Sequence, residues 1–318
     1  MEYKNRKTGL VLFGILWILL GLACGGMALL VAVGAAAGSG TPGAPPMRIM
    51  LPAGLLYLAI GACFAALGIG SMMARRWARA LVLVLSWLWL ITGLMSMLTL
   101  FFILPKMFDT LPPDQAAAKP VIIGCVAVFF ALFFVLLPGL AILFYRSPHT
   151  KATVEALDPK PSWTDLPTPL LAFAVWMMFG AVSLIFCTFM YPSLPLGPYI
   201  LHGLPMYALL AFFAAMTLFI AFGALKRRPA AWWTAVALAV VGMVWAVVLM
   251  PKTDFVSWYR DSGLANDPRQ MEMMKSIYTG PFFTIWMGVF WLAYLGFLLY
   301  LRRYFFGQNE NRMYPPST

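Results

Sequence analysis

Long stretches without charge dominate this chain of 318 residues. Windows free of Asp, Glu, Lys and Arg cover 8–47, 49–74, 80–105, 120–145, 166–225, 229–251 and 276–301. Because about 20 apolar residues in a helix cross the ~30 Å hydrocarbon core of a bilayer, each window can hold at least one transmembrane helix. Three prolines in YPSLPLGP (191–198) interrupt the longest window, so we expect it to hold two helices.

The pattern therefore predicts eight transmembrane helices, at approximately 10–33, 51–73, 80–104, 121–145, 170–190, 199–225, 230–250 and 281–301. Backbone groups in lipid must form their hydrogen bonds within the segment, which favours helices over open strands. The predicted fold class is an all-α membrane protein. Composition agrees, since 62% of the residues are hydrophobic and only 10% are charged, whereas soluble domains contain about 25% charged residues.

The first helix has some features of a secretory signal, with a basic start at Lys4, Arg6 and Lys7 and small residues at its end. Its apolar run is about 24 residues long, well beyond the 7–15 of a signal peptide. We expect this segment to be retained as a membrane helix.

Lysine and arginine are distributed unequally between the two sets of loops and termini. Fifteen lie on the side that holds both termini and the segment 147–169, and seven lie on the opposite side. The positive-inside rule then predicts a multi-pass protein with both termini in the cytoplasm. The net charge of +11 follows mostly from this topology, with attraction to the anionic headgroups of the lipid bilayer as a by-product, and it gives no argument for nucleic acid as a partner.

Sequence features recur in the same order in the two halves of the chain. A basic pair closes helix 2 in GSMMARRWARA (70–80) and helix 6 in GALKRRPAAWW (223–233), and the following helices leave through LPKMFD (104–109) and MPKTDF (250–255). A period near 150 residues predicts two parallel four-helix repeats. The expected domains are a four-helix unit over 1–146, a cytoplasmic linker over 147–169 and a second four-helix unit over 170–318.

Small residues predict close helix packing in the first unit. Gly54, Gly61 and Gly68 recur every seven residues along helix 2, and Gly21 with Gly25 forms a GxxxG pattern in helix 1. Such spacings let helix backbones approach each other in a membrane.

Reactive chemistry is scarce. The predicted helices carry no Asp, Glu, Lys or Arg, which disfavours ion-coupled transport and proton relay. His149 and His202 lie near opposite membrane faces, so they cannot ligate one haem together, and the four cysteines form no CxxC pair. Protease, hydrolase and nucleotide-loop motifs are also missing. We expect no enzyme activity, no metal site and no cofactor.

Two groups of residues are candidates for binding. The first would surround the outer mouth of a cavity: His202, Lys106, Asp109, Lys252 and Asp254. Prolines that can break membrane helices frame solute cavities in some transporters, and Pro138 and Pro205 are candidate kinks here.

The second group lies in the linker. Ser147 and Pro148 suit a helix start and Asp158-Pro159 a helix stop, with a Lys/Glu pair four residues apart and a tryptophan that can anchor at the headgroups. The expected cytoplasmic partner surface consists of His149, Lys151, Glu155 and Trp163.

The linker pattern YRSPHxKATxExxDPxPxWTDxxP resembles a linker of a family of uncharacterised bacterial multi-spanning membrane proteins. The resemblance covers about 25 residues. It implies no activity, because that family has none assigned, and it favours the bacterial inner membrane.

Three functions fit these observations. A structural or assembly subunit that docks other membrane subunits accounts most simply for the lack of charge in the helices. A transporter or channel for a neutral or apolar solute is the alternative. The third is a cofactor-free subunit that interacts with quinone, a likeness to subunits of polysulfide-reductase type in topology only.

Overall fold

A computed structural model of the protein describes residues 4–38, 47–108, 119–262, 275, 278 and 280–306. Within these residues eight helical segments are long and apolar enough to cross a membrane. They are Lys7–Gly38, Met50–Met72, Arg76–Leu98, Pro120–Arg146, Thr168–Met190, Gly203–Leu225, Pro229–Lys252 and Phe283–Phe306. The predicted all-α class with eight transmembrane helices is confirmed.

We number the elements in chain order. The helices are α1 (Lys7–Gly38), α2 (Met47–Met72), α3 (Arg76–Phe108), α4 (Lys119–Phe130), α5 (Leu137–Arg146), α6 (Pro148–Leu157), α7 (Thr168–Met190), α8 (Gly203–Leu225), α9 (Pro229–Val244), α10 (Phe255–Ser262) and α11 (Pro281–Phe306). The strands are β1 (Ser193–Leu196) and β2 (Tyr199–His202). The fourth span thus consists of α4, a π-helical segment and α5.

Backbone contacts divide the chain into two compact units. Unit 1 contains Met1–Gly26 and Tyr57–Thr168, and unit 2 contains Met27–Leu56 and Pro169–Thr318. Each unit has its own apolar core, built around Leu10, Trp17 and Tyr145 in unit 1 and around Phe173, Trp232 and Leu301 in unit 2. The linker therefore belongs to unit 1, whereas the division predicted from the sequence treats 147–169 as a separate segment between two domains.

Helices α1 and α2 approach each other most closely at two pairs of glycines. A Cβ on Gly21 would lie 2.7 Å from the carbonyl oxygen of Gly61, and a Cβ on Gly61 would lie 2.8 Å from that of Gly21. Gly14 and Gly68 form a second reciprocal pair, at 2.8 and 2.5 Å. The members of each helix are seven residues apart, so both pairs lie on one face. A Cβ on Gly25 would have no neighbour within 4 Å, although the backbone nitrogen of Gly25 lies 3.4 Å from a Cβ on Gly61. Of the two GxxxG glycines, Gly21 is thus the one where α2 leaves no room for a side chain.

The corresponding face of unit 2 carries alanine instead of glycine. Ala174 and Ala181 on α7 and Ala214 and Ala221 on α8 are buried and again seven residues apart. They lie 160 and 153 residues beyond the glycines of α1 and α2. A methyl group on each position keeps two helix backbones from reaching the separation that paired glycines allow.

The turn between α2 and α3 has the same geometry as the turn between α8 and α9. Ala74 and Arg227 both have a left-handed backbone, with φ of 51° and 52°. The next residue of each turn donates its N–H to a glycine carbonyl 2.8 Å away, at Gly70 in the first turn and Gly223 in the second. Equivalent residues are 153 apart, which agrees with the spacing of the small residues.

Two spans change their helical hydrogen bonding shortly before a proline. Ala131–Leu136 and Trp245–Leu249 are π-helical, and Pro138 and Pro251 each follow two residues later. Proline has no N–H, and its ring crowds the carbonyl four residues earlier. A wider turn moves that carbonyl aside. For Pro138 it is the carbonyl of Phe134, and a Cβ on Gly93 would lie 2.8 Å from its oxygen, so α3 packs closely against it.

The sixth span begins later than the sequence predicts. Residues 199–202, expected to be helical, form β2 and pair antiparallel with β1 across a two-residue turn at Gly197 and Pro198. Gly197 has φ of 64°, which suits the first position of a type II′ turn. Because α8 starts at Gly203, Pro205 lies in its first turn. There its missing N–H removes no intrahelical hydrogen bond, so the reason to expect a kink at Pro205 is lost.

We expect Gly21→Ala to lower stability by about 1–3 kcal/mol, because the added methyl must push α1 and α2 apart. Gly25→Ala is the matched control in the same helix, and we expect it to be neutral or slightly stabilising because alanine favours helix. Thermal unfolding in one detergent measures both. Equal melting temperatures for the two variants would contradict the paired-glycine contact.

Candidate functional site

The linker forms an ordered element on unit 1. Helix α6 runs from Pro148 to Leu157, with Ser147 and Asp158 at its two caps, as the sequence predicts. Its buried face consists of Thr150, Thr153 and Val154. A ten-residue helix is marginal in isolation and needs a packing surface. Unit 1 provides that surface.

Asp158 fixes the end of α6 to the start of α3. One carboxylate oxygen accepts a hydrogen bond from the backbone N–H of Arg76 at 3.1 Å, and the other lies 3.7 Å from Nη1 of Arg75. The Nε of Arg76 donates to the backbone carbonyl of Asp158 at 2.6 Å. Helix α3 begins at Arg76, so the carboxylate also faces the positive end of a helix dipole.

A second carboxylate holds the extended part of the linker. Asp165 Oδ2 lies 3.3 Å from Nη1 of Arg76 and accepts the backbone N–H of Ser162 at 2.8 Å. Arg79, one turn further along α3, interacts electrostatically with Glu155 and Asp165. The basic loop that the positive-inside rule places at the membrane surface is thus paired with acidic residues of the linker.

The N-terminal segment also joins this assembly. The backbone N–H of Arg6 donates to Thr153 Oγ1 at 3.0 Å, and that hydroxyl donates to the carbonyl of His149 at 2.8 Å. Below it, Ser71 Oγ donates to the carbonyl of Leu10 at 3.0 Å and lies 2.5 Å from the hydroxyl of Tyr145. These bonds connect α1, α2, α5 and α6 at one end of unit 1.

The opposite face of the linker points away from unit 1. Lys151 and Glu155 are exposed and form the predicted ion pair, with 3.8 Å between Nζ and Oε1. Leu157 follows the buried stripe of α6 but is 50% exposed at the end of the helix, Trp163 in the turn after it is 59% exposed, and His149 is half-buried. Three of the four predicted partner-surface residues, His149, Lys151 and Glu155, lie on α6, and Trp163 lies in the turn after it. Lys151, Glu155 and Trp163 are exposed, and the grouping of the four as a partner surface stays a prediction.

The predicted cavity mouth does not form one cluster within the described residues. His202 is the exposed N-cap of α8, Lys252 is exposed in a short 3-10 turn, and Asp254 caps α10, and no hydrogen bond or ion pair joins these three. The side chain of Lys106 and all of Asp109 lie outside the described residues. The grouping of five stays a prediction.

Asp254 has a local role that the sequence did not reveal. Its carboxylate accepts bonds from the hydroxyl and the N–H of Ser257, at 2.6 and 3.2 Å, and so begins α10. These hydrogen bonds hold the pKa of Asp254 below its ordinary value. A lowered pKa means that the cap stabilises α10 above the ordinary aspartate range and is lost as pH falls through the lowered value.

The described residues of unit 2 contain an apolar groove of about 420 Å³ between α7 and α8. Its lining consists of Leu184, Ile185, Thr188, Phe189, Tyr207, Leu210, Ala211 and Ala214. Thr188 already donates its hydroxyl to the carbonyl of Ile185, and the rest of the lining apart from the Tyr207 hydroxyl is apolar. The groove lies along the alanine face of α8, where the equivalent helices of unit 1 are closed by paired glycines.

Sequence reasoning missed the residues that fix the linker. Asp158 was assigned only to a helix stop, and the arginines of the basic loop only to topology. Three acidic residues within one short linker, Glu155, Asp158 and Asp165, with an arginine pair on the same predicted side, are the signal that could have found them. Among the described residues, no group of three or more His, Cys, Asp or Glu side chains could hold a metal ion.

Comparisons with known protein families, with curated proteins and with solved structures find no match. Two features of the molecule bear on its function, the linker on unit 1 and the groove in unit 2.

Asp158→Asn removes the negative charge that binds Arg75 and the start of α3. We expect it to lower the free energy that holds the linker on unit 1 by about 1–2 kcal/mol. Amide hydrogen exchange over 148–165 should become faster, and the transmembrane helices should keep their protection. Glu155→Gln changes the charge equally but removes no hydrogen bond between the linker and α3, so it should speed exchange much less than Asp158→Asn does. Unchanged protection in Asp158→Asn would show that these bonds do not hold the linker.

Proposed function

We propose that the protein is a structural or assembly subunit of a membrane complex, and that the outward face of its linker docks a partner. The observation that carries the proposal is the division of the linker into two faces. Thr153, Val154 and Asp158 attach it to unit 1, and Leu157 and Trp163 remain exposed.

A preformed surface suits partner binding because little ordering is needed when the partner arrives. Exposed aromatic and aliphatic side chains beside a charged pair have the usual composition of a protein contact, with an apolar centre and a polar rim. Trp163 provides the largest apolar area of this face, and tryptophan is enriched among residues that dominate binding energy.

The chain's own chemistry supports the same proposal. Its predicted helices contain no Asp, Glu, Lys or Arg that could relay a proton or couple an ion. We place the protein in a bacterial inner membrane with both termini and the linker in the cytoplasm, on the excess of fifteen Lys and Arg over seven.

We also propose that the two four-helix halves arose by duplication. The support is the identical turn geometry at Ala74 and Arg227, together with buried small residues at matching positions seven residues apart.

A photo-crosslinking residue at Leu157 or Trp163 should give a discrete larger species in native membranes, with one partner identified by mass spectrometry. Val154, which is 1% exposed, is the control position in the same helix and should give only intramolecular products. Products limited to lipid at Leu157 and Trp163 would contradict partner docking. A cysteine at Leu157, labelled by an impermeant maleimide only from the cytoplasmic side, tests the orientation in the same strain.

The groove in unit 2 favours a second candidate function, a transporter or channel for a neutral or apolar solute. Its lining offers contact area and no charge, which suits a ligand without ionised groups.

Ala211→Trp fills the groove, and we expect it to reduce binding of a fluorescent long-chain alcohol to the purified protein at least tenfold. Ala215→Trp adds the same volume to an exposed position of α8 outside the groove lining and should have no effect. Equal binding by both variants would exclude the groove as the ligand site.

A further inference from the structure

The basic end of unit 2, formed by Lys226, Arg227, Arg228, Arg302 and Arg303, differs from the equivalent end of unit 1. In unit 1 the loop arginines meet Asp158 and Asp165. In unit 2 the side chains of the loop residues 226–228 form no hydrogen bond or ion pair with another described residue. The two turns have the same backbone conformation, so they differ in which groups neutralise their positive charge.

Among the side chains of unit 2 that the structure describes, Asp254 is the acidic one. It follows the far end of the span Pro229–Lys252, about 36 Å from the basic loop at 1.5 Å per residue. Within the described part of unit 2, no acidic side chain therefore lies beside this basic end.

Aromatic contacts connect the two groups of cations. Trp232, one turn after Arg228, donates its indole N–H to the carbonyl of Leu298 at 2.7 Å and meets Phe306 edge-on at 5.6 Å between ring centres. The guanidinium of Arg302 lies 5.8 Å from the centre of the Phe306 ring. The loop and the last turn of α11 thus form one surface.

Apolar side chains continue from the cations along the same helices. Phe222 is 54% exposed four residues before Lys226, and Leu299 is 64% exposed four residues before Arg303. Residues four apart share a helix face. Phe222 and Leu299 are thus one turn away from Lys226 and Arg303, and the guanidinium of Arg303 lies against the rings of Tyr300 and Tyr304. Trp233, in contact with Trp232, is 60% exposed.

We propose that the basic end of unit 2 binds the phosphate headgroups of anionic phospholipids. A phospholipid offers in one molecule both features that this surface requires, an anion for the arginines and acyl chains for the apolar side chains below. An acidic protein segment would satisfy only the first. Guanidinium groups bind phosphate oxygens through paired hydrogen bonds, and basic clusters at membrane surfaces attract anionic lipids.

The test uses the full-length protein in nanodiscs of phosphatidylcholine with about one-third phosphatidylglycerol, the proportion being chosen to give a strong surface potential. Native mass spectrometry after gentle release counts the phosphatidylglycerol that remains bound. The variant Lys226→Gln/Arg228→Gln/Arg302→Gln should lose affinity by about fivefold for each cation removed. Its melting temperature in phosphatidylcholine alone shows that it remains folded.

The matched control is Lys4→Gln/Arg146→Gln/Lys160→Gln, which removes three exposed cations from unit 1. It should retain the bound phosphatidylglycerol. Equal loss in both triple variants would overturn the proposal, because binding would then follow net charge alone. Displacement of the lipid by inorganic phosphate at equal concentration would also overturn it. So would a variant that keeps its lipid but loses an acidic protein that copurifies with the wild type.

Discussion

The attachment of Asp158 to the start of α3 is the interaction on which the functional surface of this protein depends. A carboxylate beside Arg75 and the N–H of Arg76 joins the end of α6 to a membrane helix. Without it, a ten-residue helix and the extended proline-rich segment that follows would keep the contacts of Thr153, Val154 and Asp165 but lose the bond that joins them. With it, the linker has one face fixed to unit 1 and one face free, so a connection between two sets of membrane helices becomes a surface that a partner can bind.

Inside the membrane, the two units carry small residues at the same seven-residue spacing but of different kinds. Paired glycines bring α1 and α2 together in unit 1 at Gly21 and Gly61. Alanines take these places in unit 2, at Ala181 and Ala214, and a groove lies beside them. The helix pair with glycines, α1 and α2, is closely packed, whereas the pair with alanines, α7 and α8, has a groove between its helices. Proline has a similar local effect, since each π-helical segment relieves the crowding that the following proline would cause.

The membrane spans could be predicted from the sequence because their signal is strong and local. A charge-free window has few alternatives to a transmembrane helix, and caps such as Ser147 and Asp158 mark helix ends through nearby residues. The predicted start of the sixth transmembrane helix was wrong, because residues 199–202 are apolar enough to form either a strand or a helix. The decision depended on a Gly-Pro turn that pairs them with β1.

The candidate site was only partly predictable for a related reason. The helical period of α6 places Lys151 and Glu155 on one face, but their exposure depends on which face is buried. That face is decided by contacts with Arg6, Arg76 and Arg79, which are distant in sequence. Similarly, Gly21 was singled out with Gly25 as its neighbour along the chain, whereas its contact is Gly61 on another helix. Spacing along one helix does not reveal which face meets a partner.

The central claim is that the linker is held against unit 1 in a lipid bilayer. Spin labels at Met73 and Lys160, both exposed and in unit 1, report the distance between the α2–α3 turn and the linker by double electron–electron resonance. The labels are placed in a full-length variant whose four native cysteines are replaced, reconstituted in nanodiscs. A single narrow distance distribution is the predicted result. A broad distribution would contradict the account, because a mobile linker could not present a fixed surface.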